Sequence, residues 1–153
     1  MISPMELLRA QKRAERTDLT PIRAFENVSV FHSDDLLVCK ILTTKYQIGL
    51  MTLFTPQGPA IIVNSAFLKL PQELQDGALA SEVSHLLLHH YNKPILSEEQ
   101  RLNLEFKADF HAMNKLKKDI KGFLKHFLEV RTDLNSDAKK RIEERINKLN
   151  YIQ

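Results

Sequence analysis

Gly77-Ala78-Leu79-Ala80-Ser81-Glu82-Val83-Ser84-His85-Leu86-Leu87-Leu88-His89-His90 is the stretch whose reading decides the fold. Small and aliphatic residues fill most of its positions, so as a helix it is apolar on most sides and predicts a buried central helix. Pro71 opens that helix at its first turn, and Lys93-Pro94 ends it. A helix advances by about 100° per residue, which puts Ser81, Glu82, His85 and His89 on one polar stripe. A buried polar stripe costs free energy unless it is paired or bound to something. Mutual bonding of Glu82 and His85, or bonding to nearby backbone, meets that requirement; so does a binding site.

Working outward toward the C-terminus, the chain reads as helices. Ser97-x-x-Gln100 is a capping box for a helix reaching about Leu116, and this helix carries Glu105 and Asp109 four residues apart on one face. An antiparallel return after the short loop brings Glu105 opposite His85. Ile120, Phe123, Leu124, Phe127 and Leu128 keep helical spacing, as do Ala138, Ile142, Ile146 and Leu149 after an N-cap near Ser136.

Toward the N-terminus the pattern shifts. Ser3-Pro4-x-Glu6 starts a helix predicted to run to about Arg16, and Thr20-Pro21 repeats the cap-and-proline device, predicting a short helical segment through Phe25. Val28 to Phe31, Leu36 to Leu42, Gln47 to Phe54 and Ala60 to Asn64 are short β-branched or aromatic runs divided by turn-forming residues. They predict a small sheet of three or four strands, mostly antiparallel. The fold class is therefore α+β: an N-terminal helix, this sheet, the central helix, the helix of Glu105, and C-terminal helices.

At 153 residues the chain is expected to form a single domain, 1–153. A domain of this size buries roughly 70% of its unfolded surface and needs no disulfide. The one cysteine, Cys39, sits in an apolar run and reads as a small packed hydrophobe. No signal-peptide pattern and no stretch of ~20 apolar residues occurs, which points to a cytoplasmic protein without membrane contact. The net charge of +3 comes from basic clusters at Lys115 to Lys125 and Lys139 to Lys148; Asp137, Glu143 and Glu144 interrupt the second, as on a solvated helix face. No serine-nucleophile elbow, phosphate-cradling glycine loop or C-x-x-C pair is present.

Ser81-Glu82-Val83-Ser84-His85 followed by Glu105-Phe106-Lys107-Ala108-Asp109 resembles the two motifs of the compact gluzincin metallopeptidases, H-E-x-x-H and E-x-x-A-D. The minigluzincins, the ImmA/IrrE-type peptidases and the core of the HtpX and Ste24 group share this order of sheet, motif helix and glutamate helix. The likeness runs from about Val28 to Leu116, and Arg141-Ile142-Glu143 echoes a motif near the end of HtpX-like proteins. It implies a zincin-like fold with zinc held by His85 and Glu105, and Glu82 as general base on the metal-bound water. It further implies that Asp109 braces a ligand, and that the strand containing Ile62, Val63 and Asn64 holds an extended peptide by edge pairing.

The departure is Ser81, at the position of the family's first ligand histidine. Four-ligand structural zinc sites bind with about 10–16 kcal/mol, so one lost ligand costs about 3 kcal/mol, on the order of 100-fold in affinity. His89, at i+4 from His85, offers a shifted third ligand one turn along. Three functions are compatible with these residues. The chain is a peptidase-like protein with a degenerate zinc site that binds a protein or peptide. Alternatively it is an active zinc endopeptidase, in which Ser81 is compensated or is an inactivating substitution of the histidine. The third reading is a nucleic-acid-binding module using the basic C-terminal helices, which predicts salt-sensitive binding.

Overall fold

The computed structural model describes Met5, Lys12 and residues 19–34, 48–92, 94, 97–131 and 134–151, and is α+β. The chain divides into two compact units, Met1–Leu70 and Pro71–Gln153.

The first unit holds a four-stranded mixed sheet of β1 (Thr20–Phe25), β2 (Val28–His32), β3 (Leu50–Thr55) and β4 (Gly58–Val63), in the order β1-β2-β4-β3. The β1/β2 and β3/β4 pairs are antiparallel, and β2 runs parallel to β4. The helical reading of residues 20–25 is corrected: they form β1. Glu26 and Asn27 both take positive φ, 48° and 67°, the pattern of a two-residue hairpin turn whose twist matches the strands. Pro21 lacks an N–H to give, which an outer strand tolerates, and the register shifts between Pro21 and Arg23. The expected strand at 36–42 with Cys39 lies outside the described residues, as does the helix at 3–16, except that Met5 and Lys12 are helical.

Edge pairing of a peptide to β4 is also corrected. Residues Ala60, Ile61, Ile62 and Val63 are hydrogen-bonded to β2 on one side and β3 on the other, and all four are buried. Their main chain has no open edge to offer. Asn64 is committed as well: its Oδ1 accepts from Gly49 N at 2.9 Å and from Phe67 N at 3.0 Å, capping α1 (Ser65–Leu68). Beside it, Asp34 accepts hydrogen bonds from the Ser65 backbone and hydroxyl, and His32 Nε2 lies 2.9 Å from Ser65 Oγ and 3.0 Å from Asp34 Oδ2. Serine and aspartate share one ring nitrogen, so this cluster ties β2 to α1 and is no proton relay across an imidazole.

The second unit is helical: α2 (Gln72–Leu87), a 3₁₀ turn (His90–Asn92), α3 (Glu98–Asn114), α4 (Ile120–Val130) and α5 (Ser136–Asn150). Caps set the starts of the last three. Ser97 Oγ accepts from Gln100 N, Asp119 Oδ1 from Gly122 N, and Asn135 Oδ1 from Ala138 N, the last one residue before the expected cap. The α2 helix buries Gly77, Ala78, Leu79, Ala80, Ser81, Val83 and Ser84 and packs on α3 and α4. At Gly77 the approach is so close that an added Cβ would stand 2.4 Å from the Asp119 carbonyl oxygen. Ile120, Leu124, Ile142, Ile146 and Leu149 form the apolar core between α4 and α5. None of the described helices is long and apolar enough to cross a membrane.

Candidate functional site

Helical spacing carries the polar stripe of α2 toward α3, and α5 packs on α3. Asp109, on α3, is fully buried. Ser81 Oγ donates to its Oδ1 at 3.1 Å, and Arg145 on α5 forks onto it, Nη2 to Oδ1 at 2.7 Å and Nε to Oδ2 at 2.8 Å. Such a two-pronged contact is the strongest way a guanidinium holds a carboxylate. Arg145 Nη1 also stands 3.4 Å from Glu105 Oε2, and His85 Nε2 stands 3.5 Å from the same oxygen. One carboxylate oxygen therefore meets two nitrogen groups.

The second nitrogen of His85 is taken too. His85 Nδ1 lies 2.8 Å from His90 Nδ1, and the two rings meet edge-on with centroids 5.0 Å apart. The geometry arises from the end of α2. The helix stops at Leu87, His89 adopts a φ of 57° and turns outward, and the chain doubles back so that His90 is buried against His85. Glu82 accepts from the Tyr91 hydroxyl at 3.0 Å. Ser84 and His111 form a further pair at 2.9 Å. Among the described residues no buried side-chain nitrogen or oxygen lacks a partner, so the stripe is satisfied by protein alone.

The charges follow from these contacts. Burial would raise the Glu105 carboxyl, but the His85 hydrogen bond and the Arg145 charge outweigh it and bring the pKa down from 4.5 to about 2. Burial would lower the His85 imidazole, but the hydrogen bond and charge of Glu105, with Glu82 behind, raise it above 6.5. Arg145 is raised as well: its desolvation is outweighed by Asp109 and then Glu105. When protonated, His85 can donate from both nitrogens, Nε2 toward Glu105 and Nδ1 toward His90 Nδ1.

Glu82, His85, His90, Tyr91, Arg101 and Glu105 line a cavity of about 260 Å³. Of the residues singled out from the sequence, Glu82, His85 and Glu105 thus share this cavity, Ser81 and Asp109 meet behind it, and His89 is exposed beyond the helix end. His90 and Arg145 were not singled out. Arg145 left one signal: with Ile142, Ile146 and Leu149 it falls at i, i+3, i+4 and i+7 on an apolar face, where an arginine needs a buried partner. Arg141, in the R-I-E echo, instead pairs with Glu98 at 2.8 Å.

A zinc ion with bonds of about 2.1 Å in tetrahedral geometry holds its donors about 3.4 Å apart, which His85 Nε2 and Glu105 Oε2 match. The donor set does not continue. The Ser81 hydroxyl is directed to Asp109, and among the described residues no three His, Cys, Asp or Glu side chains gather for an ion. Among the described residues, the donors near His85 and Glu105 do not by themselves make a complete zinc centre. No protein-family model, curated protein or solved structure matches this chain.

Proposed function

We propose that the chain is a metallopeptidase-like protein whose metal site has degenerated, and that it acts by binding a peptide or protein rather than by hydrolysing one. The observation that carries this reading is Arg145. Its guanidinium forks onto Asp109 and reaches Glu105, supplying from within the protein the positive charge a metal would otherwise bring to these acids. The ligand position at Ser81 is spent on the same carboxylate. A metal arriving between His85 and Glu105 would meet the Arg145 guanidinium already standing 3.4 Å from the Glu105 oxygen it needs.

A second reading, the active endopeptidase, draws support from the shared cavity of Glu82, His85 and Glu105. In it Glu82 would hold and move a proton while His85 and Glu105 held zinc, whose role when bound is to acidify water and polarise a carbonyl. Calorimetric zinc titration of the native chain, Ser81→His and Ser81→His/Arg145→Gln separates the two. The degenerate reading expects no saturable binding by the native chain, little gain from Ser81→His alone, and a gain on the order of 100-fold once Arg145 is also removed. One tightly bound zinc per native chain, together with zinc-dependent peptide cleavage, would overturn it in favour of the peptidase.

A further inference from the structure

The α3 helix borders a second and larger concavity, a groove of about 860 Å³. This volume falls within the range of sites that enclose small ligands and side chains. Its apolar lining comes from Leu88, Leu102, Phe106 and Phe110, with Phe110 38% exposed. Its charged lining is two lysines, Lys107 and Lys148, and one acid, Glu99, and His111 adds an imidazole anchored by Ser84. The Lys148 ammonium lies 5.7 Å from the centroid of the Phe106 ring, so a cation is kept over the apolar lining. His90 belongs both to this groove and to the smaller cavity, so an occupant of the groove reaches the wall of the buried polar network.

We propose that this groove docks a short peptide segment of a partner protein, one carrying an aromatic or large aliphatic side chain beside acidic residues. The inference rests on the peptide-binding reading above and names its ligand class. The apolar side chain seats against Phe106 and Phe110. The acidic groups meet Lys107 and Lys148, which are exposed, so their contribution is screened by salt. A basic peptide of the same apolar content is rejected by those two lysines.

The test is to pan a displayed library of random heptapeptides against the full chain and measure binding of enriched peptides by fluorescence anisotropy. Enriched sequences are expected to pair aromatic or aliphatic residues with Asp or Glu. Lys107→Glu/Lys148→Glu should weaken their binding by about tenfold or more, and 0.5 M salt should weaken it as well. Lys107→Gln/Lys148→Gln, a milder change, should give a smaller loss in the same direction with an unchanged circular dichroism spectrum. Absence of enrichment, enrichment without acidic residues, or affinity unmoved by both lysine variants overturns the proposal. So does a single-stranded oligonucleotide that displaces the peptides, or a self-association of the chain that the same variants abolish. Failure here with zinc still unbound removes the groove inference alone; tight zinc binding by the native chain removes the degenerate-site reading and leaves the groove result standing.

Discussion

Asp109 has no access to water, and a carboxylate in that position is tolerated only with strong partners. Arg145 supplies two hydrogen bonds and Ser81 a third. Arg145→Gln therefore leaves a buried charge without its cation and is expected to lower unfolding free energy by about 3–5 kcal/mol in a urea titration. Arg145→Lys, which keeps the charge but not the fork, should lose less. The Glu105 and His85 contributions fix a pH window. Glu105 has a folded pKa below its ordinary 4.5, so its stabilisation is full above 4.5 and is lost as pH falls toward about 2. His85 is raised above 6.5, so its stabilisation is full below 6.5 and is lost as pH rises through the folded value. The difference in urea midpoint between the native chain and Glu105→Gln should thus be largest between pH 4.5 and 6.5 and shrink on both sides. A difference that is flat with pH contradicts the pairing.

Single-residue spacing made Ser81, Glu82, His85, Glu105 and Asp109 legible, because helix geometry alone fixes which residues share a face. His90 was not legible. It reaches His85 only because His89 takes a left-handed conformation that helical periodicity does not foresee. Arg145 was obscured because Arg141-Ile142 and Arg145-Ile146 repeat one dipeptide, and the spacing that sets Arg145 on the apolar face of Ile142, Ile146 and Leu149 does not name its buried partner.

Among the elements, the caps that start α4 and α5, Asp119 and Asn135, emerge from the structure, while α3 could be read from its Ser97 cap and α4 and α5 from apolar spacing. The β1 strand could not. Thr20-Pro21 satisfies local rules for a helix start, and the hairpin that overrides them turns through Glu26-Asn27 without the glycine that usually marks such a turn. The contact between α2 and the start of α4 gives a prediction at this scale. Gly77→Ala forces a methyl against the Asp119 carbonyl and should destabilise by about 1–3 kcal/mol. A variant as stable as the native chain in chemical denaturation would show that the helices can separate at no cost.

For the whole molecule, each unit has a segment where burial and hydrogen bonding coincide: residues 61–63 of β4, paired on both sides, and residues 79–83 of α2. Amide hydrogen exchange should be slowest there and fastest near Tyr151 and the exposed turn at Glu26. Exchange at 79–83 as fast as at the helix ends would mean that the polar network does not hold α2 in place. In the function proposed above, the charge that this network balances internally is the charge a metal would bring. A crystal of the native chain grown with zinc, with anomalous scattering recorded at the zinc edge, tests this most directly. The result expected is no peak between His85 and Glu105, with Arg145 forked onto Asp109; a peak at about 2.0–2.2 Å from His85 Nε2 and Glu105 Oε2 would contradict it.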